Sequence, residues 1–182
     1  MPGSSQEGKL FFRDWVSDFL PKKVLDVGAG SGGYGKIIRD LKYECQVDAV
    51  EVYADYIQQY KLSEVYDRIF NVNILDFDPD PDNYDLMIFG DVVEHIEKQR
   101  AIELLARMRK RASFLWICLP LKVTGRSWSL GYQQGSTEYA ANINEKHLYD
   151  WTYEEVVSEL GPFLWIAPFR VVGVFIAEGD LK

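Results

Sequence analysis

Val24-Leu25-Asp26-Val27-Gly28-Ala29-Gly30-Ser31-Gly32-Gly33 is the stretch on which the fold turns. Its first four residues form a short apolar run broken by one acid, the pattern of a strand buried on both faces. A dense set of glycines follows at once, and glycine permits sharp turns and close backbone approach. Helical spacing then sets in over 34–41. Strand, glycine turn and helix in that order make the first half of a βαβ unit. The carboxyl end of such a strand is where open α/β sheets place their ligands.

The same alternation continues outward. Strands are expected at 47–52, 68–74, 86–89 and 114–119, and helices at 54–62 and 96–111, the last with Ile102, Leu105 and Met108 on one face. This predicts an α/β fold, doubly wound, with a mostly parallel sheet covered by helices on both faces. Upstream, Leu10, Phe11, Trp15 and Phe19 recur at helical spacing, giving an amphipathic helix over 9–20 that Pro21 ends. Residues 1–8 read as a flexible tail. Residues 121–144 are rich in Gly, Ser, Gln, Tyr and Trp and read as an irregular insertion, and loops of that length are commonly functional. Thr152 with Glu155 three positions on is a capping box for a helix reaching Leu160. The apolar segments 163–167 and 171–177 fit an antiparallel hairpin. One domain over 9–182 is expected.

With 182 residues, 47% of them hydrophobic, the chain has enough for one packed core and too little for two full domains. Its formal charge of -8 repels phosphate backbones and disfavours general nucleic-acid binding. The run Arg107-Met108-Arg109-Lys110-Arg111 reads as the cationic end of a helix, facing the negative pole of its dipole. Cys45 and Cys118 have the spacing of neither a zinc knuckle nor a disulfide framework. The apolar runs at 114–120 and 171–177 are too short to span a bilayer, and the first eight residues carry no signal pattern. A cytoplasmic protein without a membrane span is the expectation.

Ligand chemistry follows from two acids. Glu51 falls at the end of the second strand, where a carboxylate can accept both hydroxyls of a ribose. Gly28, Gly30 and Gly33 also satisfy the dinucleotide fingerprint G-x-G-x-x-G, with Glu51 at a suitable distance. Asp26 shifts the reading. Dinucleotide sites carry an apolar residue there, whereas an acid suits a cofactor with a cationic amino group and no pyrophosphate.

These residues carry a family resemblance. Asp26-Val27-Gly28-Ala29-Gly30-Ser31-Gly32 resembles motif I, D/E-x-G-x-G-x-G, of the class I S-adenosylmethionine-dependent methyltransferases. Tyr84-Asp85-Leu86-Met87-Ile88-Phe89-Gly90-Asp91-Val92-Val93-Glu94-His95-Ile96 resembles their motif IV and the turn after it. The resemblance covers residues 20–178. It implies a seven-stranded sheet of order 3-2-1-4-5-7-6 and S-adenosylmethionine as cofactor. The implied cofactor contacts are Asp26, Gly28, Ala29, Gly30 and Gly32 in motif I, Glu51 on the ribose, Val52 against the adenine, Asn73 and Ile74 at the adenine amino group, and Asp91. Asp is usual in the family where Asn73 stands.

Asp91, Glu94 and His95 fall at i, i+3 and i+4 after the fourth strand, on one face of a helical turn. They are the candidate catalytic residues, with His95 as acid or base on its near-neutral intrinsic pKa. Two carboxylates and an imidazole also make a divalent-metal half-site, for Mg or Mn, and His147 is a candidate further ligand. This pattern resembles two metal-dependent subgroups, the ubiquinone-biosynthesis O-methyltransferases and the small-RNA 3′-terminal 2′-O-methyltransferases. Both have Glu where this chain has Asp91. Metal-free members of the superfamily carry Glu-His in the same turn, with the His lining the pocket. Tyr34, Trp128, Tyr132, Tyr139, Tyr149 and Trp151 are candidates for an acceptor wall, and 121–144 for a lid above it. The expected activity is methyl transfer to a small-molecule acceptor at oxygen. The alternatives are a metal-dependent RNA 2′-O-methyltransferase, a catalytically silent methyltransferase-like binding subunit, and a nicotinamide-dependent oxidoreductase.

Overall fold

The computed structural model describes residues 6–79, 83–122, 142–169 and 172–181. The apolar run before the glycines is β1 (Lys23–Val27), with β2 (Gln46–Val50) and β4 (Tyr84–Gly90) paired to it in parallel on either side. β3 (Arg68–Phe70) extends the sheet past β2 and β5 (Ala112–Pro120) extends it past β4, again in parallel. β7 (Val172–Glu178) runs antiparallel to β5 and carries β6 (Trp165–Pro168) antiparallel at the edge. The order is therefore β3-β2-β1-β4-β5-β7-β6, as expected, with the closing hairpin supplying the antiparallel pairs. The order reverses between β1 and β2 on one side and β4 on the other, so connections leave the sheet in opposite directions and open a crevice at the strands' carboxyl ends.

Both faces of the sheet are covered because its central strands are apolar on both. Val24 and Leu25 are each fully buried yet belong to different core clusters, the consequence of the two-residue period of a strand. One cluster joins Val24, Leu86 and Trp116 to Phe12 and Val16 of α1 (Gln6–Phe19) and Ile38 of α2 (Gly33–Asp40). The other joins Leu25, Met87 and Leu115 to Leu104, Leu105 and Met108 of α4 (Lys98–Arg109). α3 (Ala54–Gln59) follows β2, and α5 (Tyr153–Glu155) runs on into a π-helical turn (Val156–Leu160). The capping box is formed: Glu155 N–H donates to Thr152 Oγ1 at 3.2 Å and Thr152 N–H to Glu155 Oε2 at 3.0 Å. Both cysteines are free and buried.

Several boundaries differ from expectation for local reasons. The first helix begins at Gln6, so Gln6, Glu7 and Gly8 belong to it and not to a tail; Gly8, Phe12 and Val16, four apart, are all buried and extend the apolar stripe one turn upstream. The third strand stops at Phe70 because Asn71 Nδ2 turns back to the carbonyls of Glu51 (2.7 Å) and Val52 (3.1 Å). α3 stops at Gln59, and Lys61 takes a left-handed conformation (φ 51°) before a 3-10 turn (Leu62–Glu64). Instead of helix from 96, a 3-10 turn (Val93–His95) precedes α4, with Glu97 as the helix N-cap. Arg107 and Arg109 do more than face a dipole: Arg107 donates to the carbonyls of Ile74, Leu75 and Phe77, and Arg109 to those of Leu160, Pro162 and Glu178. The expected insertion at 121–144, with Trp128, Tyr132 and Tyr139, falls almost wholly outside the described residues. Among the described residues no helix is long and apolar enough to cross a membrane.

Candidate active site

The crevice holds a cavity of about 470 Å³, within the range of small-molecule sites. The glycine turn forms one wall. Gly28 and Ala29 donate their N–H groups to Val50 O at 2.8 and 3.3 Å, which ties the turn to the end of β2. Gly28 sits at φ +66°, and a Cβ there would lie 2.7 Å from Val92 Cγ2, so both conformation and space demand glycine. Glu51 faces the turn: Gly30 N–H donates to its Oε2 at 2.8 Å and Tyr53 N–H to its Oε1 at 2.9 Å. Each oxygen has two acceptor sites, so one remains on each for a further donor pair. Burial raises the Glu51 pKa, and the backbone N–H groups of Tyr53, Gly30 and Val52 oppose the rise.

Val52, Tyr56, Asn73 and Ile74 line the adjoining end. Val52 presents its side chain half-exposed, and Asn73 Oδ1 accepts from Leu75 N–H at 3.0 Å, which fixes the amide's direction. Gly28, Ala29, Gly30, Glu51, Val52, Asn73, Ile74, Asp91, Glu94, His95 and His147 all line one cavity.

Two expected cofactor contacts lie outside that lining. Gly32 is the left-handed N-cap of α2 (φ 76°) and serves the turn, not the cavity wall. Asp26 is buried beneath the glycine turn, where the Tyr66 hydroxyl donates to its Oδ2 at 2.5 Å. Burial pushes its pKa up to about 7, against the lowering effect of the Tyr66 bond. An unfolded aspartate ionises near 3.8, so between that value and about 7 the folded chain binds the extra proton and stability falls as pH rises. Asp26→Asn removes this dependence. Its urea-unfolding free energy relative to the unsubstituted chain is expected to grow between about pH 4 and about pH 8. A constant difference would mean that folded Asp26 is ionised throughout.

The second cluster is built by the 3-10 turn. Glu94 is buried, and neither carboxylate oxygen has a hydrogen-bond partner among the described residues. Burial, with the Asp91 charge adding to it, holds its pKa well above the usual carboxylate range. His95 Nδ1 lies 3.1 Å from Lys146 O. A carbonyl only accepts, so Nδ1 carries the proton, and the bare Nε2 stands 4.0 Å from Glu94 Oε1. His147 is brought in by the backbone: Leu148 and Tyr149 donate their N–H groups to Glu94 O at 2.8 and 3.2 Å. The two imidazoles meet edge to face, centroids 4.8 Å apart. Burial keeps both neutral; that of His147 is lowered to about 4.

One donor atom each from Glu94, His95 and His147 lie within 4.8 Å of one another. Donors around a single ion at ~2.1 Å are at most ~4.2 Å apart, so a small inward shift completes a three-donor face. A histidine whose other ring nitrogen donates to a carbonyl is the usual arrangement for a metal ligand. The orphaned buried carboxylate and two neutral imidazoles therefore fit a divalent cation. Asp91 stands outside this cluster, which corrects the four-residue expectation. It lines the cavity in a left-handed conformation (φ 54°) and acts on the cluster through its charge.

Of the expected acceptor wall, Tyr34 lines the cavity and is buried. Tyr149 and Trp151 do not: Trp151 is fully buried in the core and Tyr149 packs on it, its hydroxyl bonded to Glu155. Lys9, Tyr56, Asn142 and Glu145 were not anticipated in the lining. The first comes from a helix whose pattern showed only its apolar stripe. The next two carry no motif, and Glu145 stood unmarked in the segment that holds His147.

No protein-family model matches this sequence, and no curated protein matches it. Solved structures do match in fold. An O-methyltransferase family protein from Burkholderia thailandensis superposes with a TM-score of 0.68 at 14% identity, over 97% of this chain and 57% of that one. The N-terminal domain of EvdMO1, solved in the presence of SAH and D-fucose, gives 0.68 at 10% identity, over 98% of this chain and 85% of that one. The plantazolicin methyltransferase BpumL in complex with SAH gives 0.66 at 13% identity, over 95% and 82%. This chain thus spans a little over half the length of the first. Identities this low speak to fold alone, and the fold is that of the class I S-adenosylmethionine-dependent methyltransferases.

Proposed function

We propose that this chain is an S-adenosylmethionine-dependent methyltransferase acting at oxygen on a small-molecule acceptor. The observation that carries the reading is Glu51, held at the cavity wall by Gly30 and Tyr53 with one acceptor site left on each oxygen. That geometry suits the adjacent hydroxyls of a ribose. Val52, Asn73 and Ile74 stand where an adenine would follow, and the Asp91 charge favours a ligand carrying sulfonium and ammonium groups. Asp26 takes no direct contact in this reading; it braces the glycine turn from below through Tyr66 and Gly35. The likeness in fold to an O-methyltransferase family protein and to two SAH-bound structures supports the same cofactor.

The cofactor supplies an activated methyl group, so the protein's task is to align an acceptor oxygen with it and to manage the acceptor's proton. Glu94, His95 and His147 would hold a Mg or Mn ion on the acceptor side of the cavity, where it would supply Lewis acidity to a hydroxyl. Glu94 would give up its proton to such an ion and offset part of its charge, while the Lys146 carbonyl aims His95 and the bonds to Glu94 O set His147. The same cluster also suits a metal-dependent enzyme acting on RNA ends. The chain's charge of -8 and the acids in the cavity weigh against a polyanion there.

Methyl-labelled cofactor incubated with phenolic, sugar and RNA-end acceptors, with Mn, with Mg or with a chelator, tests the reading. Label is expected on a small hydroxylated acceptor and only with divalent ion. Transfer confined to RNA ends selects the other substrate class. Transfer indifferent to chelation returns His95 Nε2 to the role of proton acceptor. No transfer to any acceptor, with cofactor bound, would make the chain a binding subunit.

A further inference from the structure

Lys9 is the one lysine or arginine among the described residues that line the cavity. It projects from α1, its stem half-buried, and its end lies over the start of α2: a Cβ built on Gly33 would meet Lys9 Nζ at 2.8 Å and Cε at 2.9 Å. Gly33 therefore leaves room for the ammonium to rest on the glycine turn. The other nearby cation, Lys36, is engaged with Ser31 O at 2.7 Å and is not part of the lining. The acidic side chains that line the cavity with it are Glu51, Asp91, Glu94 and Glu145.

We propose that Lys9 is the specificity-determining residue for the carboxylate at the amino-acid end of the cofactor. This rests on the methyltransferase reading and deepens it. With the ribose on Glu51 and the base toward Asn73 and Ile74, the amino-acid end runs along the glycine turn toward Gly33. A carboxylate placed beside Glu51 and Asp91 is repelled unless a cation meets it, and Lys9 is the cationic side chain lining that end of the cavity. The backbone N–H groups at the start of α2 add favourable dipoles at the same spot. Lys9 would thus let an otherwise acidic cavity accept a zwitterion and reject an adenosyl sulfonium that carries amine alone.

Calorimetric titration without acceptor, using S-adenosylmethionine and its decarboxylated analogue, tests this. The unsubstituted chain is expected to bind S-adenosylmethionine about tenfold more tightly than the analogue, the usual worth of a charge-assisted hydrogen bond. Lys9→Met is expected to lose that preference while binding the analogue as before, and Lys9→Arg to restore most of it. If Lys9→Met weakens both ligands alike and keeps the preference, Lys9 only packs against the turn and the proposal fails. If the unsubstituted chain binds neither ligand, the methyltransferase reading itself fails and takes this one with it. With no acceptor present, a role of Lys9 toward an anionic acceptor cannot mimic the expected result.

Discussion

Glu51→Ala is expected to bind S-adenosylmethionine at least roughly a hundredfold more weakly than the unsubstituted chain, because it would lose two hydrogen bonds to a charged acceptor at ~1.5–3 kcal/mol each. Part of the loss is indirect. Gly30 and Tyr53 currently give their N–H groups to this carboxylate, and without it both ends of the ribose wall are free to drift. Glu51→Gln separates the two contributions. Its amide oxygen keeps one acceptor for the backbone, while its NH2 group faces a donor hydroxyl, so its affinity falls between the other two. Circular dichroism should show the fold retained in both variants, since Glu51 lies at the cavity wall and belongs to neither core cluster. Unchanged affinity in Glu51→Ala, measured by calorimetry, removes the ribose role.

The second large effect is on turnover. Glu94→Gln is expected to lower kcat by about 10²–10³, since an ion acting on a reacting oxygen contributes several kcal/mol and each ~1.4 kcal/mol is tenfold. Cofactor affinity should stay within about threefold, because Glu51, the glycine turn and the adenine end are untouched. Thermal unfolding supplies an independent reading. Manganese is expected to raise the Tm of the unsubstituted chain by binding the folded state. In Glu94→Gln the anionic donor is gone and the rise should vanish. A variant with full turnover and an undiminished response to manganese would leave the orphaned carboxylate without a function.

The glycine turn and the Glu51 wall of the cavity were legible in the sequence because they rest on local pattern. A short apolar run, glycines at the next turn and an acid at the end of the following strand are each read within a few residues, and the alternation of strands and helices orders them in space. The capping box at Thr152 was legible for the same reason. What escaped is what depends on contacts across the chain. The position of Asp26 in the motif is visible in the sequence, but its partner Tyr66, 40 residues later, is not. His147 meets His95 through backbone bonds from Leu148 and Tyr149 to Glu94, and backbone bonds leave no mark on residue type. Lys9 lies on a helix whose amphipathic pattern reveals which side faces the core and not what the polar side reaches. Asp91 was grouped with Glu94 and His95 on helical spacing, whereas the chain there bends through a left-handed residue into a 3-10 turn.

Binding of the cofactor to this cavity is the claim on which the rest stands, and calorimetry with S-adenosylhomocysteine, run beside thermal unfolding, tests it most directly. One ligand per chain is expected, with a stabilisation of about 2.7 kcal/mol at ~100 times the dissociation constant and a sharply weakened response in Glu51→Ala. No heat and no shift in Tm at millimolar ligand, or an equal response from Glu51→Ala, would contradict it.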